Sequence, residues 1–286
     1  MIHFNKVTII GVGLIGGSLA RVMKAQKLAA EIHGAGRSRE TLELALKLGV
    51  IDRMGQSAAD AVENADLVVL APPVGAFEQL VGEIGPRMKP GAIVTDVGSV
   101  KGGLVKMIEH ILPVGVHYVP AHPIAGKEKS GVSEATESLF RGAKCILTPT
   151  DRTDPKALET VRSLWTAAGA TVVTMDADVH DHVFAAVSHL PHVAAYAMVC
   201  TVAEMTAGTE NYISFSGAGF RDFTRIAASS PEMWKDICLM NSSNLVEMIE
   251  RYQFSLTRIK KAIQRGEGAK VEKFFTLASD VRRGLK

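Results

Sequence analysis

Cysteine is scarce in this chain and shows no pairing pattern. Cys145, Cys200 and Cys238 are odd in number, far apart and never in a CxxC pair, which argues against a disulfide framework or a zinc site and fits a reduced compartment. Long apolar runs are missing too: no unbroken stretch reaches the ~18–20 residues of a membrane span, so a membrane is not expected as a partner. Neither sign of charge dominates. The net charge is +2 and the pI about 8.4, with no basic block to track a nucleic acid or an anionic lipid surface. The opening MIHFNKVTII lacks the charged segment, apolar core and cleavage site of an export signal, and a cytoplasmic location is expected. Internal repeats and low-complexity tracts are absent as well. What is left is an ordinary globular composition, 47% hydrophobic and 22% charged. Its 286 residues exceed the ~100–150 of a usual domain, so two domains are expected.

Between Lys6 and Met175, short β-branched segments alternate with helical patterns: KVTII, EIHGAG, DLVVLA, AIVTDV, VHYVPA, KCILTP and TVVTM. That alternation predicts an α/β domain over residues 1–175, a Rossmann-like, mostly parallel sheet with helices on both faces. One helix start is marked by Asp154, a capping residue, with Pro155 at the first helical position. After Met175 the strand signals almost stop. Periodicity predicts helices over Val179–Thr206 with a kink at Pro191, over Pro231–Gln264 and over Lys270–Arg283. The glycine-rich GTENYISFSGAGFRDF joins the first two, so residues 176–286 form an expected all-α domain.

The segment KVTIIGVGLIGGSLARVMK reads as a buried strand, a glycine-rich turn and the start of a helix. In such a turn Gly11 allows the tight bend, Gly13 lets backbone approach a pyrophosphate, and Gly16 permits close helix-on-strand packing. The helix through Leu14 and Ile15 would aim open N–H groups and its positive dipole end at phosphate oxygens. Where the next strand ends, a carboxylate would hold the ribose 2′-hydroxyl of NAD, but this chain has Gly36-Arg37-Ser38-Arg39. Arg37 and Ser38 suit a 2′-phosphate, so NADP is the expected cofactor and NAD the alternative.

Ligands of an open α/β sheet bind beyond the carboxyl ends of its strands, and further strand ends carry unusual residues. Pro72 and Pro73 would stiffen a wall beside the cofactor, or simply form a turn. DVGSVK presents the Ser99 hydroxyl and the Lys101 ammonium on a small loop. AHPIAGKE places the His122 imidazole at a strand tip, where titration near neutrality suits a general base. In SHLPH, His189 and His192 stand three positions apart on one helix face. A metal site there is disfavoured, since no HExxH spacing, acidic partner or cysteine pair accompanies them. GAGFRDFTR adds two guanidinium groups beside glycines, fitted to grip a carboxylate.

Taken in order, GVGLIGGS, DVGSVK, HPIAGKEKSG, SHLPH and GFRDFTRIAASSPEMW resemble the prephenate and arogenate dehydrogenases of tyrosine biosynthesis over nearly the whole chain. The resemblance implies a monofunctional form without a fused mutase or regulatory domain, and a homodimer through the helical half. It implies oxidation of a cyclohexadiene ring that bears a hydroxyl and a carboxylate, with loss of carbon dioxide. His122 would accept the hydroxyl proton, and Ser99 would hydrogen-bond the same oxygen or orient the imidazole. Arg225 would bind the ring carboxylate and His192 the substrate's other end, with Ser188, His189 and Glu128 in support; Trp234 reads rather as core. Two rivals remain. A β-hydroxyacid dehydrogenase would carry a catalytic lysine where SHLPH stands, and a non-catalytic NADP-binding redox sensor would not need Ser99, His122 and Arg225 together.

Overall fold

The computed structural model of the chain describes residues 2–127, 129–205 and 211–285. The chain starts as expected, alternating β1 (Phe4–Ile10), α1 (Leu14–Ala25), β2 (Ala29–Ala35), α2 (Arg39–Lys47), β3 (Arg53–Met54), α3 (Ala58–Val62), β4 (Leu67–Leu70), α4 (Phe77–Ile84), β5 (Ile93–Asp96), α5 (Gly102–Ile111) and β6 (His117–Val119). These strands form one parallel sheet in the order β3-β2-β1-β4-β5-β6. Central strands such as LVVL and IVTD are buried at every position, as a parallel sheet covered on both faces requires. Alternation sorts their side chains into two cores: Val7, Ile9, Leu67 and Val69 join one, Ile10, Val68 and Leu70 the other. The two-residue β3 was not anticipated, being too short to leave a periodic signal.

VHYVPA is not one strand. Pro120 has no N–H to continue the ladder, so β6 stops at Val119 and the chain hands over to a second sheet. There β7 (Ala121–Pro123) pairs antiparallel with β8 (Lys144–Leu147). After α6 (Pro155–Ala167), β9 (Thr171–Thr174) joins β8 in parallel. His122 thus stands on the small sheet just past the handover, rather than at the tip of a strand of the main one. The cap of α6 forms as expected, the Ala157 N–H donating to Asp154 Oδ1 at 2.8 Å.

From Ala177 the described residues are mainly helical: α7 (Ala177–Phe184), a π-helical turn over Ala185–His189, α8 (Leu190–Met205), α9 (Ala218–Thr224), α10 (Pro231–Met240), α11 (Ser242–Gln264) and α12 (Gly268–Gly284). The irregular turn falls just before Pro191, whose ring offers no N–H. The expected helix Pro231–Gln264 is broken at Asn241, whose side chain turns inward to donate to the Asp181 carbonyl at 2.8 Å. The span α7 to α8, 29 residues, contains an 18-residue window with a mean hydropathy of 1.5, long and apolar enough by length and composition alone to cross a membrane. The sequence reading counted only unbroken runs, and histidines and Pro191 interrupt this one. The two halves share a core, in which Trp234 and Ile237 of α10 pack with Val74 and Phe77.

Candidate active site

A cleft of about 650 Å³ opens where β1, β2 and β4 end, lined by Gly11, Gly13, Arg37, Ser38, Pro72 and Pro73 among others. The three glycines answer different constraints. Gly11 has φ +92°, and a Cβ there would lie 2.5 Å from the Ala71 carbonyl carbon; a Cβ on Gly16 would meet the Gly11 carbonyl. Around Gly13 nothing stands within 4 Å of the position a Cβ would take, so protein packing does not demand glycine there. That open space lies at the N-terminus of α1, which has no side-chain cap and no acidic residue in its first turn. Leu14 and Ile15, half-buried, begin the helix. Empty room before an uncapped helix start is what a pyrophosphate needs, and the residues fit a dinucleotide.

At the outer edge of the cleft the Ser38 hydroxyl caps α2, accepting the Thr41 N–H at 3.2 Å. Arg37 reaches across to Glu232 of α10 at 3.2 Å.

His122 is 8% exposed and lies in a polar cluster buried between the halves. Its Nδ1 is 2.8 Å from Nε2 of His180, and His180 Nδ1 is 2.8 Å from Asp181 Oδ1. Asp181 accepts the Lys101 and Gly102 N–H groups, each at 2.8 Å, so that a residue of α7 caps α5. The Lys101 ammonium, fully buried, meets Asp96 at 2.6 Å and the Gly98 carbonyl at 2.7 Å. Asp96 in turn accepts from the Tyr118 hydroxyl at 2.7 Å. Burial, helped by the nearby Lys101 charge, holds the His122 ring well below the usual imidazole range, so it is neutral at pH 7. Burial also lowers His180, with Asp181 opposing.

The loop leaving His122 borders two cavities. Gly131 lines the nucleotide cleft, while Gly126 and Lys127 line a second cavity of about 420 Å³ with His192, Arg225 and Ser229. The His192 ring stacks on Trp234 at 3.6 Å between centroids and donates from Nδ1 to the Ser188 carbonyl at 2.9 Å. Burial lowers its pKa, and the Arg225 guanidinium adds to this. Trp234 is 7% exposed and belongs to the core, as expected, but it also fixes His192.

Arg225 and His192 are therefore brought together at one cavity, beside the loop that follows β7 and His122. His189 is not part of that lining: it is fully buried, 3.1 Å from the Asn241 amide, with its pKa pushed down to about 4 by burial. Ser99 is half-buried in the loop after β5; the hydrogen bond that orients the His122 ring is made by His180 instead. Glu128 lies outside the described residues. Sequence reasoning missed His180, Asp181 and Asn241. The only local sign was an adjacent His-Asp pair at the start of the helical half, and no spacing rule connects it to position 122.

Comparison with known proteins gives this geometry its family. Residues 19–174 match the nucleotide-binding domain of prephenate dehydrogenases, and residues 176–277 match their dimerization domain. The prephenate dehydrogenase of Bacillus subtilis (strain 168) is 36% identical over 286 residues, covering 98% of this chain and 76% of that protein. The cyclohexadienyl dehydrogenase of Zymomonas mobilis is 34% identical and covers 100% of this chain and 98% of its own. A crystal structure of prephenate dehydrogenase from Aquifex aeolicus, in complex with hydroxyphenyl propionate and NAD+, has a TM-score of 0.93 at 38% identity, covering 99% of this chain and 98% of that one. The chain belongs to the prephenate dehydrogenase family.

Proposed function

We propose that the protein oxidises prephenate, arogenate or both, with loss of the ring carboxylate as carbon dioxide. The observation that carries this reading is a neutral imidazole on β7, from which the chain runs directly on past an arginine-bearing cavity at Gly126 and Lys127 and a dinucleotide-shaped cleft at Gly131. A bound nicotinamide dinucleotide would supply the hydride acceptor. His122 accepts the ring hydroxyl's proton while Arg225 holds a substrate carboxylate through paired N–H donors. His192, clamped by Trp234 and the Ser188 carbonyl, meets the other end of the substrate. Ser99 hydrogen-bonds the reacting oxygen. Ser188 and His189 act through these residues, the first by its carbonyl and the second from behind the cavity wall. Aromatisation of the ring drives the reaction, so the site needs chiefly to position the ring and take a proton.

Between the two dinucleotides we favour NADP, because Arg37 and Ser38 stand where a carboxylate would otherwise hold a 2′-hydroxyl. The Glu232 partner of Arg37 is a surface carboxylate that a 2′-phosphate can replace. We place the boundary between a nucleotide-binding and a helical domain near residue 175, and assign dimerisation to the helical domain. Phe254, Ile263, Phe275, Leu277 and Val281 leave large apolar areas exposed on its last two helices.

The test is to mix the protein with prephenate or arogenate and each dinucleotide, and to follow absorbance of the reduced nicotinamide. Turnover with a higher kcat/KM for NADP supports the reading; no turnover of either substrate overturns it. Arg225→Ala is expected to raise KM for the substrate by about tenfold or more while kcat changes far less. The opposite pattern in steady-state kinetics would remove the carboxylate clamp.

A further inference from the structure

Resting on the assignment of His122 as the proton acceptor, we propose that His180 and Asp181 are its positioning residues. They form a relay that fixes the proton on Nδ1 of His122 and leaves Nε2 as the base. The argument is a count of donors and acceptors. Both Asp181 oxygens already accept backbone N–H groups at the start of α5, and an ionised carboxylate can only accept. The short contact between Asp181 Oδ1 and His180 Nδ1 therefore carries a proton on the histidine. A neutral His180 protonated at Nδ1 has its lone pair on Nε2, the atom that meets His122 Nδ1 at 2.8 Å. His122 Nδ1 must donate to it, so the lone pair of a neutral His122 is left on Nε2.

The surroundings enforce the arrangement. His180 is fully buried and Asp181 is 4% exposed, and the Phe184 ring covers both imidazoles at 4.9 and 4.5 Å between centroids. The groups that face the pair are Lys101 at the start of α5, Asp96 from β5, Asp181 from α7, His189 from the π-helical turn and Cys145 from β8. Asp96 neutralises Lys101 at 2.6 Å, and burial keeps the Cys145 thiol protonated. That leaves Asp181 as the carboxylate bonded to the relay. As the substrate O–H bond breaks, a new N–H bond forms at Nε2 of His122, and the positive ring is stabilised through Nδ1–H, His180 and Asp181. The bonds that orient the ring also hold α7 to α5, so docking of the helical half and setting of the tautomer are one event.

Two variants and one spectrum test this. His180→Phe keeps a ring but removes the acceptor; His180→Gln keeps an acceptor in its side-chain carbonyl. His180→Phe is expected to lower kcat about 10- to 100-fold, with KM and dinucleotide Kd within about twofold. It should also move the acid limb of the kcat/KM profile to lower pH, because the protonated His122 loses its support. His180→Gln should recover much of the rate and return the limb toward its original position. In ¹⁵N-histidine NMR of the ligand-free wild type, His122 should show a protonated Nδ1 and an unprotonated Nε2. A proton on Nε2 instead, or two variants equally slow with an unmoved limb, would overturn the relay. If the wild type oxidises neither substrate, the proposed reaction falls, and the spectrum reads the relay alone.

Discussion

The nucleotide cleft and the Arg225 cavity are built from different materials. The cleft is made of backbone: three glycines, the open end of α1 and strand termini held by ladder bonds. The cavity and the His122 cluster are made of side chains drawn from β7, the start of α5, α7, α8, the turn after α9, and α10. A backbone site is specified by what each position must lack, so single residues carry steric rules that nothing can replace. A side-chain site is specified by which elements meet, and so depends on the packing of the two halves.

Substitutions at the glycines attack the first kind of site. Gly11→Val should have the largest effect, since it forces a β-branched residue to φ +92° and a Cβ into the Ala71–Pro72 backbone. A loss of roughly 3 kcal/mol or more in urea unfolding is expected, with dinucleotide binding abolished. Normal stability in this variant would break the claim that the turn is sterically fixed. Acid attacks the second kind. Burial lowers the pKa of His122, His180, His189 and His192, the last three in the helical half. Between the folded values and the unfolded value of 6.5, the unfolded chain binds the extra protons, so stability rises with pH and is lost as pH falls from 6.5 toward the folded values, about 4 for His189. Each such histidine contributes about 1.4 kcal/mol per pH unit inside its window. Urea midpoints at pH 7 and pH 5 measure the sum, and equal midpoints would contradict the burial.

The difference in materials also explains what was legible. GVGLIGGS could be read one residue at a time, because turn, approach and close packing are local demands that only glycine meets. The order of strands and the helical second half followed from periodicity. Pro120, by contrast, carried a signal that the strand reading passed over, and it moved His122 to another sheet. Asn241 looks like an ordinary helical residue until its amide is seen satisfying Asp181 and His189. His180 and Asp181 stand nearly sixty positions from His122, and only the docking of α7 on α5 brings them together. His192 and Arg225 stood out by spacing and by the guanidinium groups beside glycines, but their separate roles came only from family resemblance.

His122→Asn separates the two sites by function. It should cut kcat at least ~100-fold, in line with losing general-base assistance, while dinucleotide affinity changes less than about twofold, because the cleft gains and loses no group. A matching loss of cofactor binding would mean that the two sites are not independent.

The smallest expected effect draws the sharpest line between the two kinds of site. Gly13→Ala adds one methyl group to open space, with nothing within 4 Å, at a φ of −97°, outside the left-handed region that favours glycine. Packing therefore predicts a Tm within about 2 °C of wild type, since a surface change that meets no neighbour leaves stability nearly constant. If the space is reserved for a pyrophosphate, the same methyl blocks its approach and weakens dinucleotide binding by about tenfold. Unfolding scans and dinucleotide titrations on one preparation test both halves of the statement. Unchanged affinity would place the phosphates elsewhere in the cleft, and a lowered Tm would mean that Gly13, like Gly11 and Gly16, serves the fold before it serves the ligand.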